Sequence, residues 1–259
     1  MRLDKALVER EITPTRAKAQ DAIIAGRVKV NDVVVTKKNF IVNDNDILSL
    51  QEETLSFVSR AGFKLYDVLE PFDISLKDRI VMDVGASTGG FSDVCLRGGA
   101  AYVYALDVGS DQMASQLLKN PRLENREHVN CRYLTPDMFE QEIDFACMDV
   151  SFISCKLIIP AVIACMKTVE LVILVKPQFE AGKAFINKHG IVKEPKVHER
   201  VLKDMCEFIS SLDLYVHHIK KSSVVGRDGN QEYVFHIKDS VCDKVFDYAE
   251  IMQANITVR

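Results

Sequence analysis

The stretch IVMDVGASTGGF (residues 80–91) decides the fold of this chain, because it joins a strand-like run to a helical pattern through glycines. Ile80–Val84 is apolar and rich in β-branched residues, and a helical pattern begins at Phe91. The three glycines between them let the backbone turn sharply and let a ligand approach main-chain N–H groups. The stretch therefore predicts a doubly wound α/β sheet with a ligand site at this turn.

The residues around this turn indicate which ligand fits it. A second apolar run, Tyr102–Leu106, ends at Asp107, 22 residues after Gly85. An acid at that position typically accepts hydrogen bonds from ribose hydroxyls. The spacing departs from the dinucleotide fingerprint, because Ala86-Ser87 follow Gly85 where that fingerprint has a second glycine. We therefore expect S-adenosylmethionine rather than NAD; the alternative is a tight turn with an acid at a helix start.

The composition is that of an ordinary globular protein. The 259 residues are 47% hydrophobic and 27% charged, which suits one full α/β domain with a small appendage. The seven cysteines are odd in number and form no C-x-x-C pair, so we interpret them as reduced thiols of a cytoplasmic protein. The six histidines show no metal-ligand spacing, and no metal is expected.

The hydropathy pattern predicts no membrane insertion. Charged residues near the start leave no room for the apolar core of a signal peptide. The longest apolar run, Leu157–Met166, has ten residues and includes Pro160, so it is too short to span a bilayer.

The N-terminal part is a basic lobe on an acidic body. Residues 1–43 carry nine Lys or Arg and five Asp or Glu, a net charge of +4, which leaves −8 for the rest of the chain. This asymmetry predicts contact with a polyanion. The pattern predicts a short helix, a second helix capped by Thr13-Pro14, and a hairpin around Asn31-Asp32.

The basic residues of the lobe are candidates for phosphate contacts, the alternative for each being a solvated charged face. They are Arg2, Lys5, Arg16, Lys18, Arg27 and Lys29.

The sequence of this lobe resembles the RNA-binding domain first described in ribosomal protein S-four. Its pattern R-x-x-A-x-x-x-I-x-x-G-x-V-x-V-N is matched, with the isoleucine at either of two positions, by Arg16, Ala19, Ile23 or Ile24, Gly26, Val28, Val30 and Asn31.

The remainder resembles the FtsJ-like ribose 2′-O-methyltransferases, which carry a Lys-Asp-Lys-Glu tetrad. The four matching contexts are SRAGFKL (59–65), FACMDVSF (145–152), ILVKPQFE (173–180) and GNQEYVF (229–235). They place the tetrad at Lys64, Asp149, Lys176 and Glu232. The two modules joined by FVSRAGFKL have the arrangement of the TlyA family of ribosomal RNA methyltransferases, some of which are labelled hemolysins.

The resemblance implies a fold, a cofactor and a substrate. It implies a Rossmann-like methyltransferase sheet after a small α+β RNA-binding domain, with S-adenosylmethionine as cofactor and ribosomal RNA or an assembled subunit as partner. The chain looks like the shorter TlyA type, for which we expect a cytidine ribose of the large-subunit RNA. The implied cofactor contacts are Asp83, Gly85, Ser87, Thr88, Gly89, Gly90, Phe91, Asp107 and Asn130.

The chemistry of methyl transfer suggests a role for each member of the tetrad. The cofactor supplies an activated methyl group, so the protein must position and deprotonate a weakly acidic hydroxyl. We expect Lys176 to be the base or the alkoxide stabiliser and Asp149 to orient it. Lys64 and Glu232 would form a supporting pair, the alternative being an ordinary structural salt bridge.

The predicted architecture has four segments and a mixed sheet. We expect the RNA-binding lobe at 1–52, a linker at 53–60, the methyltransferase domain at 61–240 and a C-terminal tail at 241–259. Strands near 80–84, 102–107, 144–149 and 171–176 should be parallel, and a last pair near 215–221 and 232–238 antiparallel.

Two rival functions belong to other classes. A membrane-damaging toxin would fit the hemolysin label, but the sequence offers neither a spanning helix nor a strongly basic amphipathic one. A non-catalytic ribosome assembly factor would need the RNA-binding fold but not a lysine beside a methyl donor.

Overall fold

A computed structural model describes residues 1–51, 56–226 and 229–254 of the chain. The chain forms two compact units, Met1–Ser56 and Phe57–Thr257. Part of the predicted linker, residues 53–55, lies outside the described residues.

The first unit packs two helices on a small antiparallel sheet. Its elements are α1 (Leu3–Glu9), α2 (Arg16–Ile24), β1 (Val28–Val30), β2 (Val33–Val34) and β3 (Leu48–Leu50), with strand order β2-β1-β3. The predicted hairpin is confirmed: Val30 pairs with Val33, and Asn31 and Asp32 both have positive φ, as a two-residue hairpin turn requires.

The predicted cap of the second helix is wrong by two residues. Thr15 is the N-cap, and its hydroxyl accepts a hydrogen bond from the backbone N–H of Lys18. Thr13 is buried before the helix begins. A threonine on either side of the proline can cap a helix start, so the motif alone did not fix where the helix begins.

The second unit is built on a seven-stranded sheet with helices on both faces. Its strands are β4 (Ile80–Val84), β5 (Tyr102–Leu106), β6 (Leu123–Arg126), β7 (Phe145–Met148), β8 (Glu170–Val175), β9 (Tyr215–Lys221) and β10 (Tyr233–Lys238). Its α-helices are α3 (Ala61–Leu69), α4 (Gly90–Arg97), α5 (Ser115–Leu118), α6 (Ile159–Ala164), α7 (Pro177–Glu180), α8 (Pro195–Ser210) and α9 (Tyr248–Gln253).

The strand order is β6-β5-β4-β7-β8-β10-β9, and the first five strands in this order are parallel. β10 is antiparallel to both β8 and β9. The predicted doubly wound Rossmann-like class is therefore confirmed, including the antiparallel final pair. Strand β6, with the sequence LENR, was missed because an edge strand with polar side chains lacks the apolar run of a buried parallel strand.

The two faces of the sheet bury separate apolar clusters. Val81 and Val103 face α3 and α4, whereas Met82 and Tyr104 face α6 and α8. Successive side chains of a strand alternate in direction, so each central strand contributes to both layers. These layers fix the carboxyl ends of β4, β5, β7 and β8 at one edge of the sheet, where ligands bind in open α/β folds.

Candidate active site

The four tetrad residues converge at this edge of the sheet. Asp149 directly follows β7 and Lys176 directly follows β8. Glu232 precedes β10, which runs in the opposite direction, so it reaches the same edge. Lys64 comes from α3, which packs beside α4.

The tetrad forms one continuous chain of ion pairs. Nζ of Lys176 lies 2.6 Å from Oδ1 of Asp149, and Nζ of Lys64 lies 3.1 Å from Oδ2 of the same carboxylate. The Nζ of Lys64 also lies 2.7 Å from Oε2 of Glu232. Lys64 therefore bridges two carboxylates, whereas the sequence predicted only its pairing with Glu232.

The charges of the tetrad support one another in a nearly water-free setting. Both lysines and Glu232 are less than a tenth exposed. Burial acts to lower the pKa of Lys64, but Asp149 and Glu232 outweigh it and raise that pKa above its ordinary value. Burial likewise acts to raise the pKa of Asp149, and the neighbouring lysines Lys64 and Lys176 bring it below the ordinary value. The site thus stabilises ammonium and carboxylate groups together.

Two glycines of the turn are required by close packing. A Cβ on Gly85, whose φ is +83°, would lie 2.9 Å from the backbone oxygen of Asp149. A Cβ on Gly90 would lie 2.4 Å from Oγ of Ser59 and 2.9 Å from the backbone N of Gly62. Gly85 therefore lets the turn approach Asp149, and Gly90 lets α4 approach the segment that carries Lys64.

Asp107 fastens the end of β5 to the glycine turn. Its Oδ2 accepts a 2.8 Å hydrogen bond from the backbone N–H of Ser87, and its Oδ1 accepts a 2.7 Å bond from that of Gly109. The Ser87 hydroxyl donates to Oε1 of Gln112 at 2.8 Å. Gln112 was missed, because nothing in the spacing separates it from the other polar residues of its loop.

Asp83 is completely buried behind the turn. The hydroxyl of Ser92 donates a 2.6 Å hydrogen bond to its Oδ2, while Oδ1 has no hydrogen-bond partner in the described part of the chain. Burial, reinforced by the negative charges of Asp149 and Asp107 and opposed by hydrogen bonds from Ser92, raises the pKa of Asp83 to about 7.

The remaining predicted cofactor contacts differ in accessibility. Thr88 is half-buried, and Gly89, in the left-handed region at φ +88°, is the N-cap of α4. The ring of Phe91 is buried in the core, so its side chain is not available for the predicted cofactor contact. Asn130 is exposed, and its side-chain oxygen accepts a hydrogen bond from the backbone N–H of Arg132.

Charge decides what kind of cofactor these residues fit. Asp107, Asp83 and Asp149 come from the ends of three adjacent strands, β5, β4 and β7, and the first and last are close enough to raise the pKa of the second. The negative charges of Asp107 and Asp149 would repel a pyrophosphate but would favour a cationic ligand. They fit S-adenosylmethionine, whose sulfonium and amino groups are positive.

In the first unit, two of the predicted RNA contacts share one buried carboxylate. Arg2 donates two hydrogen bonds to Asp4, of 3.0 and 3.1 Å, and Arg16 donates one of 2.9 Å. Gln20 adds another at 2.8 Å. Burial acts to raise the pKa of Asp4, but the hydrogen bonds from Arg2, Gln20 and Arg16 outweigh it and lower that pKa to about 2.

The other candidates in the lobe are not part of this cluster. Lys5 and Lys18 are exposed, and Arg27 and Lys29 are half-buried. Asp4 was missed, because an acid in the first turn of a helix usually interacts with the helix dipole in solvent.

Residues 1–51, 56–226 and 229–254 make up the part of the chain that the structure describes. They hold no cluster of three or more His, Cys, Asp or Glu side chains that could bind a metal ion. They also contain no helix with the length and apolar character needed to cross a bilayer.

Residues 57–239 match the profile of the FtsJ-like methyltransferases. The chain belongs to the FtsJ-like methyltransferase family. Residues 1–48 match the S4 domain, which confirms the order of modules predicted from the sequence and its resemblance to TlyA proteins.

Named relatives of this FtsJ-like methyltransferase extend over most of its length. YqxC of Bacillus subtilis, provisionally named an rRNA methyltransferase, is 42% identical over 91% of this chain and 85% of its own. The 16S/23S rRNA (cytidine-2'-O)-methyltransferase TlyA of Mycobacterium tuberculosis is 36% identical over 92% of this chain and 89% of its own.

A solved structure from Streptococcus thermophilus, provisionally described as a hemolysin, is also similar. It is 38% identical, with a TM-score of 0.73, and the match covers 92% of this FtsJ-like methyltransferase and 88% of that protein. The hemolysin label anticipated from the sequence thus accompanies the same fold.

Proposed function

We propose that this methyltransferase transfers the methyl group of S-adenosylmethionine to the 2′-hydroxyl of a cytidine ribose in ribosomal RNA. We expect the large-subunit RNA to be the substrate. The observation that carries the proposal is the Lys176–Asp149–Lys64–Glu232 chain of ion pairs at the carboxyl edge of the sheet. The cytidine 2′-O specificity in the name of the mycobacterial relative supports the choice of nucleotide.

The cofactor contacts would come from the glycine turn and the carboxylates around it. Bound S-adenosylmethionine supplies a methyl group on a positive sulfur, which is ready for in-line displacement. The amino end of α4 and the turn 85–90 would bind its polar parts, and Asp107 would accept from ribose hydroxyls. Asp107 and Asp149 would offset its positive charge.

The tetrad prepares the ribose hydroxyl. Nζ of Lys176 lies 2.6 Å from Oδ1 of Asp149, and this lysine would stabilise the negative charge that develops on the 2′-oxygen as the hydroxyl proton leaves to water. Lys64 holds Asp149 from its other oxygen, and Glu232 holds Lys64 in turn. Nearly complete burial strengthens each of these electrostatic contacts.

The loop after Asp149 carries an exposed aromatic ring that could stack on an unpaired base of the RNA. Phe152 is 91% exposed, and its backbone is in the left-handed region at φ +66°. Its ring centroid lies 5.4 Å from that of Phe179. Sequence-specific RNA proteins typically stack unpaired bases on such rings, so Phe152 offers a surface for the target base.

The test is methyl transfer from labelled S-adenosylmethionine to unmodified large and small ribosomal subunits in parallel, with the labelled nucleotide mapped by mass spectrometry. Lys176→Met should lose roughly 10²–10³-fold in rate, the range for loss of one group that stabilises an oxyanion. Lys167→Met is the matched control, because Lys167 is 73% exposed and pairs only with Glu142 among the described residues.

Label on a cytidine 2′-oxygen that depends on Lys176 would establish the reaction and its centre. Label on a base, or equal rates for both lysine variants, would contradict the proposal. Cofactor binding without transfer to either subunit would favour the RNA-binding assembly factor.

A further inference from the structure

Ser151 contacts the reactive end of Lys176 but is not a member of the tetrad. The Nζ of Lys176 donates a 2.9 Å hydrogen bond to Oγ of Ser151 and lies 2.6 Å from Oδ1 of Asp149. A lysine ammonium has three N–H bonds in a tetrahedral arrangement. Two partners in different directions therefore determine where the third N–H points.

We propose that Ser151 is a positioning residue that directs the free N–H of Lys176 toward the 2′-oxygen of the substrate ribose. This inference rests on the proposed function. If Asp149 were its sole partner, the ammonium group could rotate about the Cε–Nζ bond and about the line that joins Nζ to Oδ1 of Asp149. The serine contact removes that rotation before the substrate arrives, which is the preorganisation that electrostatic catalysis requires.

The loop that carries Ser151 is fastened to the segment that follows Lys176. Glu180, in α7, accepts a 2.6 Å hydrogen bond from the hydroxyl of Ser154 and a 2.7 Å bond from the backbone N–H of Cys155. The loop 149–155 is thus joined to the segment 176–180 at two points. Lys176 contacts the start of the loop, and Glu180 contacts its end. This double attachment fixes the hydroxyl of Ser151 in relation to Nζ.

The exposure of Ser151 distinguishes a positioning role from a role in core packing. Ser151 is exposed, whereas Lys176 is 6% exposed. A serine on an exposed loop can hydrogen-bond to water at no cost, so the serine hydroxyl adds little to the folding of the loop. Its effect should therefore appear in the rate of methyl transfer and not in the stability of the protein.

The test compares Ser151→Ala, Ser151→Thr and Ser154→Ala in the full chain with ribosomal subunits and S-adenosylmethionine. Ser154→Ala is the matched control, because it removes a hydroxyl from the same loop while the N–H of Cys155 still holds Glu180. Ser151→Ala should lower kcat roughly tenfold, the effect of one hydrogen bond to a charged group. The KM for RNA and the Kd for cofactor should stay within about twofold, and Ser151→Thr should recover most of the rate.

A kcat of Ser151→Ala equal to that of Ser154→Ala would overturn the proposal, as would a loss confined to KM or to cofactor binding. A second readout is the rate of reductive methylation of Lys176, followed by mass spectrometry without substrate. It should rise in Ser151→Ala but not in Ser154→Ala, and equal rates would contradict the orientation. Should the wild type transfer no methyl group, the proposed function fails, while the labelling rate still decides whether Ser151 holds Lys176.

Discussion

The Nζ of Lys64 lies 2.7 Å from Oε2 of Glu232, although one residue belongs to the first helix of the catalytic domain and the other precedes β10. Because Lys64 also contacts Asp149, this single ammonium group neutralises parts of two carboxylates. We therefore expect the pair to contribute to stability as well as to the proposed catalysis.

Replacing Lys64 should destabilise the catalytic domain. Lys64→Met leaves Glu232 buried without its cation, and breaking a buried ion pair in this way costs about 3–5 kcal/mol. The free energy of unfolding in urea at neutral pH measures the loss. The double variant Lys64→Met/Glu232→Gln should recover part of it, because the uncompensated charge is gone. A single variant as stable as wild type would show that the bridge contributes nothing to folding.

Asp83 should make stability fall as the pH rises. Its folded pKa of about 7 lies above the ordinary value of 3.8 for an aspartate, so the native state binds the extra proton between these values. The stabilisation is present below about pH 4 and is lost as the pH passes through 7.

Asp83→Asn mimics the protonated form and should remove this dependence. The difference in unfolding free energy between wild type and variant should therefore change by up to about 4 kcal/mol between pH 4 and 8. Using the difference cancels the titration of other groups. A constant difference across that range would mean that Asp83 is ionised throughout.

Asp4 should strengthen RNA binding despite its negative charge. Asp4→Asn releases Arg2 and Arg16 from their shared anchor, so the affinity for RNA should fall several-fold even though the lobe becomes more positive. Asp32→Asn, at an exposed hairpin position, is the control for charge alone and should raise affinity slightly. Filter binding at fixed salt distinguishes the two. Equal gains in both variants would show that only net charge matters.

The ring of Phe152 should contribute to RNA binding and its backbone should carry strain. Phe152→Ala should lower kcat/KM for RNA about tenfold, in line with ~1–3 kcal/mol for stacking one base, whereas Phe152→Trp should preserve it. Cofactor affinity should not change.

The left-handed backbone at Phe152 gives a separate test in the same series. Phe152→Gly should be more stable than Phe152→Ala by roughly 1–2 kcal/mol, the cost of this conformation for a residue with a Cβ. Equal thermal stability of the two variants would contradict the strain.

The sequence predicted the sheet well because its central strands are buried on both faces. Runs such as Ile80–Val84 and Leu171–Val175 leave little alternative to a buried parallel strand, and the structure places both as expected. The edge strand β6 was missed for the opposite reason, since its polar residues look like a loop.

The residues of the site could be predicted from the sequence, but the contacts between them could not. Lys64, Asp149, Lys176 and Glu232 follow recognisable contexts, and their convergence follows from strand direction. That Lys64 bridges two carboxylates depends on how α3 packs against α4, where Gly90 permits an approach that no local pattern encodes. Ser151 and Asp4 were missed because a serine or an aspartate acquires its role only from a partner distant in sequence.

The antiparallel course of β10 has a consequence for how the protein is made. The carboxylate that completes the bridge belongs to almost the last part of the catalytic domain to leave the ribosome, long after Lys64 and Asp149 have emerged. In a nascent chain that lacks β10, Lys64 would have Asp149 but not Glu232 as a counterion. The sheet would also lack the strand that pairs with β8 and β9. The complete tetrad can therefore form only after the segment that carries Glu232 has been synthesised.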